Sequence, residues 1–378
     1  MELTPEQEAV GETVRELAVE EIRPVAAEAD ETETFPEGVW DRLGELDLLS
    51  LTIPEAYGGY DADGPTYAIV NEELAYGTLA VATAASVHML AASCIREFGT
   101  EAHHERYLTE MATGRPVGMF CLSEPEAGSN PAEMSTVARK EGDEYVITGK
   151  KQWITNGERG DVGVVFAKTD PEDPGSITQF LFEKDRAGVE VGKKEAKLGL
   201  RASDTTTLMF DGLRVPETNR LTEEGRGLSA ALHSLTGGRV AIAAQAVGVA
   251  QSALDAAKSY ATDREQFDRP ISEIQSIRHK LAEMATGTQA ARLLTYDAAR
   301  GLDTGSPPTE AASMAKLHAS GNAMDVTNEA IQIHGGYGYT TDFPVERMYR
   351  DAKITEIYEG TTEIQKKIIA REVLGDRR

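Results

Sequence analysis

The order of helical and strand patterns along the chain constrains its fold more than any other feature. Apolar residues recur at helical spacing before about residue 115, and again from about residue 223 onwards. Between these stretches, short β-rich runs separated by Gly, Pro and Asn indicate an antiparallel sheet or barrel. Helices and strands do not alternate, which argues against a doubly wound parallel sheet. We therefore predict an α+β protein with a helical domain over 1–117, a β domain over 118–222 and a helical bundle over 223–378.

Local signals predict where individual helices begin and end. Thr4-Pro5-Glu6-Gln7 has an N-cap residue, a proline at the first helical position and a glutamine where a capping box needs one. An Ala-rich helical stretch over 66–98 is interrupted by Gly77 and is expected to form two helices. Residues 362–365, with the sequence TEIQ, also fit a capping box and predict a final helix.

The charge balance excludes some classes of partner. The 63 Asp and Glu residues exceed the 38 Lys and Arg residues, which gives a net charge of −25. Nucleic acids and anionic membrane surfaces favour basic proteins, so neither is an expected partner. We interpret the excess as a strongly solvated surface of the kind that halophilic proteins have. An acidic site for a cationic substrate is the alternative, which the scatter of acids along the chain disfavours.

Cysteine and histidine usage predicts neither disulfides nor a metal site. Cys94 and Cys121 are expected to be buried, reduced thiols. His103 and His104 lie in a charged stretch that predicts exposed surface, and no pair of Cys or His has metal-ligand spacing. The N-terminus lacks a signal-peptide pattern, and we expect no apolar run to be long enough to span a bilayer. The expected location is the cytoplasm.

Three segments carry residue types suited to binding a cofactor. The loop FCLSEPEAGSN (120–130) offers hydroxyls and backbone N–H groups that can hold a pyrophosphate, although it could be a plain surface turn. WITNG (153–157) places a large aromatic beside a hydroxyl, although Trp153 could belong to the core. GGYGY (335–339) follows a helix and could equally be its C-cap or part of a cofactor site.

Seven segments in the same order resemble motifs of the acyl-CoA dehydrogenase family, most closely its short-chain, butyryl-CoA branch. The resemblance covers nearly the whole chain, and the order of the motifs makes it specific. The segments are residues 120–130 and 153–157, KLGLRASDT (197–205) with VP (215–216), GRVA (238–241), REQF through Gln275 (264–275), QIHGGYG (332–338) and YEGTT (358–362).

The resemblance implies three domains, of which the last is a four-helix bundle, and FAD bound by a homotetramer. In such a protein a neighbouring subunit contributes to each flavin site. The residues implied in FAD binding are Phe120, Leu122, Ser123, Gly128, Ser129, Trp153, Ile154, Thr155, Arg264, Phe267, Gln275, Gln332, Ile333, Gly335, Gly336, Thr361 and Glu363. Those implied in substrate binding are Ser129, Arg239, Tyr358 and Gly360.

The implied reaction is α,β-dehydrogenation of an acyl-CoA to the trans-2-enoyl-CoA. Glu359 stands where the family commonly has its base, which takes the α-proton while a hydride leaves the β-carbon for flavin N5. Burial beside an apolar chain should raise the pKa of such a glutamate, which suits proton abstraction. Another branch of the family carries its base just before the helix arginine, and here that position is Gly238. Taken alone, Glu359 would be an ordinary loop acid.

Several alternatives stay open at this point. Medium-chain or 2-methyl-branched substrates are possible, and so is an acyl-CoA oxidase or a flavin-binding protein that has lost turnover. Electron-transferring flavoprotein is the acceptor that the resemblance implies. Glu126 and Glu363 depart from residues frequent in the family, and Glu126 is expected to point either to solvent or towards a phosphate.

Overall fold

The computed structural model describes residues 3–304 and 308–375, and its first part is helical. The capping box at Thr4 is confirmed, since Gln7 N–H donates to its hydroxyl and the Gln7 side chain accepts from its backbone. The N-terminal helices are α1 (Pro5–Leu17), α2 (Arg23–Thr32), α3 (Glu37–Glu45), α4 (Gly64–Gly77), α5 (Leu79–Phe98), α6 (Glu101–His103) and α7 (Thr109–Met111), with π-helical turns at Ala18–Ile22 and His104–Leu108.

The predicted division at Gly77 is confirmed, and close packing explains the glycine. A Cβ at Gly77 would lie 2.9 Å from the side chain of Ile22. A larger residue would therefore push the end of α4 away from the π-helical turn Ala18–Ile22. Thr78 then adopts an extended backbone, with φ −159°, between α4 and α5. The break lets α5 leave α4 at an angle and reach the sheet.

The middle part is a single curved sheet. Its strands are β1 (Gly118–Cys121), β2 (Val137–Glu141), β3 (Glu144–Thr155), β4 (Val162–Lys168), β5 (Ile177–Glu183), β6 (Val189–Lys194) and β7 (Thr205–Pro216). The strand order is β1-β4-β2-β3-β7-β6. Strand β5 lies outside this order and pairs antiparallel with β4.

The predicted antiparallel pairing is correct for β2–β3, β3–β7, β4–β5 and β6–β7, but β4 also has parallel partners. β1 runs parallel to β4 over four residue pairs, and β2 meets β4 in parallel at its end. Turn signals report only strands joined by short hairpins, whereas β2 and β3 intervene between β1 and β4 in the chain. That intervening length is enough for the parallel return that a tight turn cannot provide.

The C-terminal part is helical and packs on both preceding parts. Its long helix α8 contacts α4, α5, α9, α10 and strand β5. The predicted apolar stripe on α8 is largely buried, with Val240, Val247 and Ala261 in the core and Leu254 partly exposed. The elements are α8 (Gly227–Asp263), the hairpin β8 (Glu265–Gln266) and β9 (Arg269–Pro270), and helices α9 (Gln275–Leu302), α10 (Thr309–His334), α11 (Val345–Ala352) and α12 (Thr362–Leu374).

Two smaller predictions about helix ends and surface are corrected. The N-cap of α12 is Thr361 rather than Thr362, because Thr361 keeps an extended backbone and its hydroxyl accepts from Ile364 N–H. His103 is buried rather than exposed, since its ring folds back to accept the Thr100 N–H and completes the cap of α6. Cys94 and Cys121 are free and buried, as expected.

The expectation that no apolar segment is long enough to cross a membrane is wrong by length and composition. Helices α5 and α8 both meet that criterion. Most residues of each are buried against other elements of the protein, as in core helices of soluble folds. Their apolar character is therefore accounted for by packing within the fold.

Candidate active site

Glu359 lies in a short loop between α11 and α12, in a backbone conformation that side chains rarely adopt. Its φ is +53° and that of Gly360 is +92°, so two consecutive residues have left-handed geometry. Non-glycine residues with positive φ are uncommon and cluster at functional sites. Glycine suits the next position because a φ of +92° is strained for any side chain, and a Cβ there would also displace the Gln365 amide, whose nitrogen would lie 2.7 Å away. The loop thus turns the Glu359 side chain inward.

Glu359 is half-buried as a residue, but one of its carboxylate oxygens is shielded from water and unpaired. Its Oε2 is buried and has no hydrogen-bond partner among the described residues. Burial raises the pKa of Glu359 to about 7, while the positive charges of Arg239 and Lys316 oppose that rise. A carboxyl group that titrates near neutrality can take up and release a proton at physiological pH.

The first turns of α8 form one wall around this carboxylate. A Cβ on Gly238 would lie 2.8 Å from Glu359 Oε2, so this glycine leaves the space that the carboxylate occupies. The next residue, Arg239, is buried, and its Nε has no hydrogen-bond partner within residues 3–304 and 308–375. Burial lowers the pKa of Arg239, and Glu359 partly offsets this effect. The two residues that sequence motifs single out on α8 are therefore both near Glu359.

Tyr358 fixes the loop to the core by its hydroxyl. The hydroxyl lies 3.3 Å from Thr83 Oγ1 on α5 and 3.3 Å from Gln245 Oε1 on α8. Gln245 in turn donates to Asn71 Oδ1 on α4 at 2.9 Å. Tyr358 was predicted as a substrate residue, and the structure gives it this anchoring contact.

Two residues of the site were not predicted from the sequence. Lys316 on α10 donates to the Gly360 carbonyl at 2.8 Å. Gln365 on α12 donates to the same oxygen at 2.8 Å and to the Glu359 carbonyl at 3.2 Å. Lys316 gave no local signal in its Ala-rich helix, whereas Gln365 falls in the segment that was interpreted as a capping box.

The loop after β1 and the end of β3 form a second part of the site, joined by backbone and side-chain bonds. Gln152 N–H donates to the Ser123 carbonyl at 3.0 Å, and Lys151 Nζ donates to the Leu122 carbonyl at 3.0 Å. Lys151 also pairs with Glu124 at 2.8 Å, and both side chains are buried. Hydrogen bonds from Ser135 and Thr136 complete the contacts of Glu124.

Burial alone would raise the pKa of Glu124, but Lys151 and these hydrogen bonds outweigh it. The resulting pKa of Glu124 is about 2, so the carboxylate stays ionised. The pair therefore fixes the loop 122–136 rigidly on β3.

The residues predicted for the flavin in this part differ in what they expose. Trp153 is 52% exposed with φ +58°, so the alternative of a core tryptophan is wrong. Ser129 and Gly128 are exposed, as is Glu126, which projects to solvent, whereas Phe120, Ser123 and Thr155 are partly buried. The side chains of Leu122 and Ile154 pack into cores, which leaves only their backbones for a ligand.

Helix α5 brings these two parts of the site together. Asn156, directly after β3, donates its side-chain amide to the Ala84 carbonyl at 3.0 Å and to the Gly118 carbonyl at 3.1 Å. The adjacent residue Thr83 contacts Tyr358 in the loop 357–361, which carries Glu359. This loop and the strand end that carries Trp153 therefore approach the same turn of α5.

The remaining predicted flavin residues form a separate cluster at the far end of the helices. Arg264 caps α8, and its guanidinium lies 5.9 Å from the centre of the Tyr337 ring. Gly335 ends α10 with φ +60°, so the C-cap interpretation is correct, and Cβ atoms on Gly335 and Gly336 would meet open space.

At 1.5 Å rise per residue, the stretch from Lys316 to the end of α10 measures roughly 27 Å. Since Lys316 contacts Gly360, this cluster lies far from Glu359. Phe267 is 85% exposed, Gln275 and Gln332 are exposed, and Ile333 faces the core. Thr361 and Glu363 instead lie close to Glu359 in the chain, at the start of α12, where Thr361 is the N-cap.

These features suit a flavin dinucleotide. An exposed indole next to the partly buried Thr155 hydroxyl offers a face and a hydrogen bond to a planar ring. The exposed Ser129 and the unobstructed glycines Gly335 and Gly336 offer donors and close approach for phosphates. Within the described residues, no group of three His, Cys, Asp or Glu is placed to hold a metal ion.

A buried carboxyl group between helices, together with a hydroxyl-bearing loop and an exposed indole on a sheet between two helical parts, is an arrangement that suits the class of flavin-dependent dehydrogenases. Comparison with known proteins narrows the class. The chain matches the acyl-CoA dehydrogenase N-terminal domain over residues 4–115, the middle domain over 119–213 and the C-terminal domain over 225–374. It belongs to the acyl-CoA dehydrogenase family, whose members are FAD-dependent oxidoreductases acting on CH–CH groups.

Individual relatives are similar over the full length. The short-chain specific acyl-CoA dehydrogenase of Clostridium acetobutylicum is 46% identical over 374 residues, covering 98% of each chain. The butyryl-CoA dehydrogenase structure from Megasphaera elsdenii has a TM-score of 0.96 at 39% identity, covering 99% of each chain. A chain from work on the electron transferring flavoprotein of Acidaminococcus fermentans and flavin-based electron bifurcation has a TM-score of 0.97 at 41% identity, covering 100% of each chain.

Proposed function

We propose that this acyl-CoA dehydrogenase oxidises short-chain acyl-CoA to the trans-2-enoyl-CoA, with Glu359 as the base that removes the α-proton. One observation carries the proposal: the buried Glu359 Oε2 has no hydrogen-bond partner among the described residues and belongs to a carboxyl group with a pKa of about 7. An α-C–H bond is a weak acid, so its base must be desolvated, held in place and still ionised near neutral pH. Glu359 meets these three conditions.

The loop also supplies a donor for the thioester carbonyl. No described residue accepts a hydrogen bond from the Glu359 backbone N–H. A carbonyl oxygen that accepts from this N–H would place its α-carbon beside the carboxylate of the same residue. Donors aimed at a developing enolate oxygen lower the barrier to proton removal. The left-handed φ of Glu359 helps to direct both groups to the same side.

FAD, when bound, supplies the acceptor for the hydride that leaves the β-carbon. We propose that Trp153 and Thr155 hold the ring system and that the backbone of 122–123 with Ser129 contacts the cofactor and CoA. Thr361 ends the loop that carries Glu359 and Glu363 follows it on α12, and we propose that both contact the same cofactor. Arg239 and Gly360 line the substrate beside Glu359.

The distant cluster at the end of α8–α10 favours an assembly in which it serves a neighbouring subunit's flavin. We propose a homotetramer, with Arg264, Phe267, Gln275 and residues 332–336 reaching across the interface. Phe267 and Tyr339 are 85% and 89% exposed in the single chain, which suits burial by another subunit. We further propose that α8, α9, α10 and α12 form a four-helix bundle, since α10 packs against the other three.

The electron acceptor and the cellular site are also proposals. An electron-transferring flavoprotein is favoured by the structural likeness to the Acidaminococcus chain. We propose a cytoplasmic location, and a halophilic source, which the acidic composition favours.

Chain length is tested by anaerobic flavin reduction across a series of acyl-CoA substrates. The names of the Clostridium and Megasphaera relatives favour four carbons. We expect the largest second-order rate of flavin bleaching with butyryl-CoA, and lower values at eight carbons and with 2-methyl branching. A maximum at eight carbons or with the branched substrate would contradict the short-chain assignment. Fast reoxidation by oxygen in the product complex would instead indicate an oxidase.

A further inference from the structure

Lys316 is a buried lysine that contacts the loop carrying Glu359 from a part of α10 that no sequence motif covers. It lies in the first half of α10, its side chain is 0% exposed, and its Nζ donates to the Gly360 carbonyl at 2.8 Å. Lysine is almost never fully buried unless it is paired, because removing an ammonium group from water is costly. The burial of Lys316 therefore calls for a compensating interaction.

The hydrogen bond to Gly360 does not supply that compensation alone. An ammonium group has three donors, and the described residues give Lys316 Nζ one acceptor, a neutral carbonyl. The opposite charge that acts most strongly on Lys316 is Glu359, ahead of Glu356 and Glu363. Glu363 is exposed at the start of α12, so solvent screens its charge.

The surroundings of Glu359 leave few groups that can hold its charge. Arg239 on α8 and Lys316 on α10 are the cations that act on it. Tyr67 on α4, Cys94 on α5 and Tyr358 in the loop remain neutral, since burial raises the pKa of each, that of Cys94 to about 12. The positive charge of Arg371 on α12 lowers the pKa of Arg239. The carboxylate is therefore balanced by two buried cations from two helices.

We propose that Lys316 is a positioning residue for the base: it holds the Gly360 carbonyl, and so the left-handed Glu359, while its charge keeps Glu359 ionised near neutral pH. This inference rests on the proposed role of Glu359. Gln365 also holds the Gly360 carbonyl in place, since it donates to the same oxygen, but it carries no charge. Ser320, one turn further along α10, donates to the Thr355 carbonyl at 2.8 Å and holds the start of the loop.

The direction of the electrostatic effect follows from the charges. Burial pushes the pKa of Glu359 up, and the positive charges of Arg239 and then Lys316 pull it back towards about 7. Burial lowers the pKa of Lys316 to about 8, so the lysine is mostly charged at pH 7. Removing this charge raises the pKa of Glu359, which leaves less carboxylate at neutral pH and restores it only at higher pH.

The test compares Lys316→Met and Lys316→Arg in the FAD-loaded protein. The second-order rate of flavin reduction by butyryl-CoA is measured by anaerobic stopped flow between pH 5.5 and 9, which reports groups of the free enzyme. We expect Lys316→Met to move the rising limb to higher pH, with a roughly tenfold loss at pH 6.5 that largely disappears by pH 9. Lys316→Arg keeps the charge and should keep the limb near its wild-type position, whatever its rate.

Two further variants separate the effect of the Lys316 charge from the effect of its hydrogen bond to the loop. Gln365→Leu removes a donor to the loop without changing charge, and it should lower the rate by a similar factor at every pH. Lys140→Met removes an exposed lysine on β2 and should leave the profile unchanged. A Lys316→Met profile that is merely lowered in parallel, as with Gln365→Leu, would overturn the proposal.

If the Lys316→Met variant does not hold FAD, the proposal is tested by infrared spectroscopy of the other variants instead. The infrared band of protonated carboxyl, taken as wild type minus Glu359→Gln, reports the titration of Glu359 without turnover. The same difference in the Lys316→Arg background must show titration close to wild type, and a large upward shift there would overturn the proposal. Failure of the proposed function is distinguishable, since Glu359→Gln would then reduce flavin at the wild-type rate.

Discussion

At the scale of single residues, the absence of a side chain at Gly238 matters as much as the presence of Glu359. The two residues lie on different elements, yet a methyl group on Gly238 would fall 2.8 Å from Glu359 Oε2. Real Cβ atoms do not approach an oxygen so closely, so one of the two groups would have to move. Gly237, its neighbour on α8, has no atom within 4 Å of its Cβ position.

This contrast predicts different outcomes for two otherwise identical substitutions. Gly238→Ala should displace the carboxylate and slow flavin reduction by at least about tenfold, since a misplaced base loses much of its contribution. Gly237→Ala should fold as well, bind FAD and keep a rate within about twofold of wild type. Single-turnover reduction of both variants measures the difference. Equal rates in the two variants would show that the space beside Gly238 is not needed by the base.

Sequence motifs predicted part of the residue-scale site. Glu359, Tyr358 and Arg239 were found because they lie in segments that resemble a family, and they lie together in the fold. Lys316 was missed because a lysine in an Ala-rich helix looks like ordinary surface, and its burial depends on how α10 meets the loop. Contacts between elements far apart in the chain leave no local periodicity to detect.

At the scale of elements, the joint between the loop after β1 and strand β3 is the firmest part of the cofactor region. Lys151 and Glu124 are both buried and satisfy each other with the help of Ser135 and Thr136. Breaking a buried ion pair by removing one partner costs about 3–5 kcal/mol, because the other charge is left unpaired. The loop that carries Ser123 and Ser129 depends on this joint.

We predict that Lys151→Met lowers the melting temperature of the holoenzyme by at least about 5 °C and weakens FAD retention. Lys150→Met, which removes the exposed lysine next to it, should change neither. Adding Glu124→Gln to Lys151→Met should recover part of the loss, because no unpaired charge remains. Thermal melts followed by flavin fluorescence measure both quantities, and a Lys151→Met protein as stable as Lys150→Met would refute this account of the joint.

Element boundaries were largely predictable because their signals are local. The capping box at Thr4 and the break at Gly77 appear in the structure as expected. The parallel pairing of β1 with β4 was not predictable, since it joins strands separated by two others. Burial of His103 was missed for a related reason, because the charged neighbours of a residue do not report which face of a helix it occupies.

At the scale of the whole molecule, the charge of −25 acts on every state of the chain. Like charges across a folded surface repel, and this repulsion opposes the compact state. Salt reduces it, because the Debye length falls from about 10 Å at 0.1 M to about 3 Å at 1 M. The acidic surface is therefore expected to make stability depend on ionic strength.

We predict that the melting temperature at pH 7.5 rises by several degrees, roughly 5 °C or more, between 0.1 M and 1 M KCl. The gain should shrink at pH 5.5, closer to the sequence pI of about 4.7, where the net charge is smaller. Calorimetry at the two pH values tests this directly. An unchanged or lower melting temperature in 1 M KCl at pH 7.5 would show that repulsion is unimportant and would remove the support for a halophilic source.

The central claim, that Glu359 is the base, is tested most directly by anaerobic reduction of the flavin in Glu359→Gln. The variant replaces the carboxylate with a neutral group of the same shape, so FAD and butyryl-CoA should still bind. We predict that bleaching of the flavin band slows at least about a thousandfold, the order expected when a positioned base is lost. Glu356→Gln, which changes an acid in the same segment, should remain within a few-fold of wild type. Reduction of Glu359→Gln at a rate near wild type would contradict the assignment.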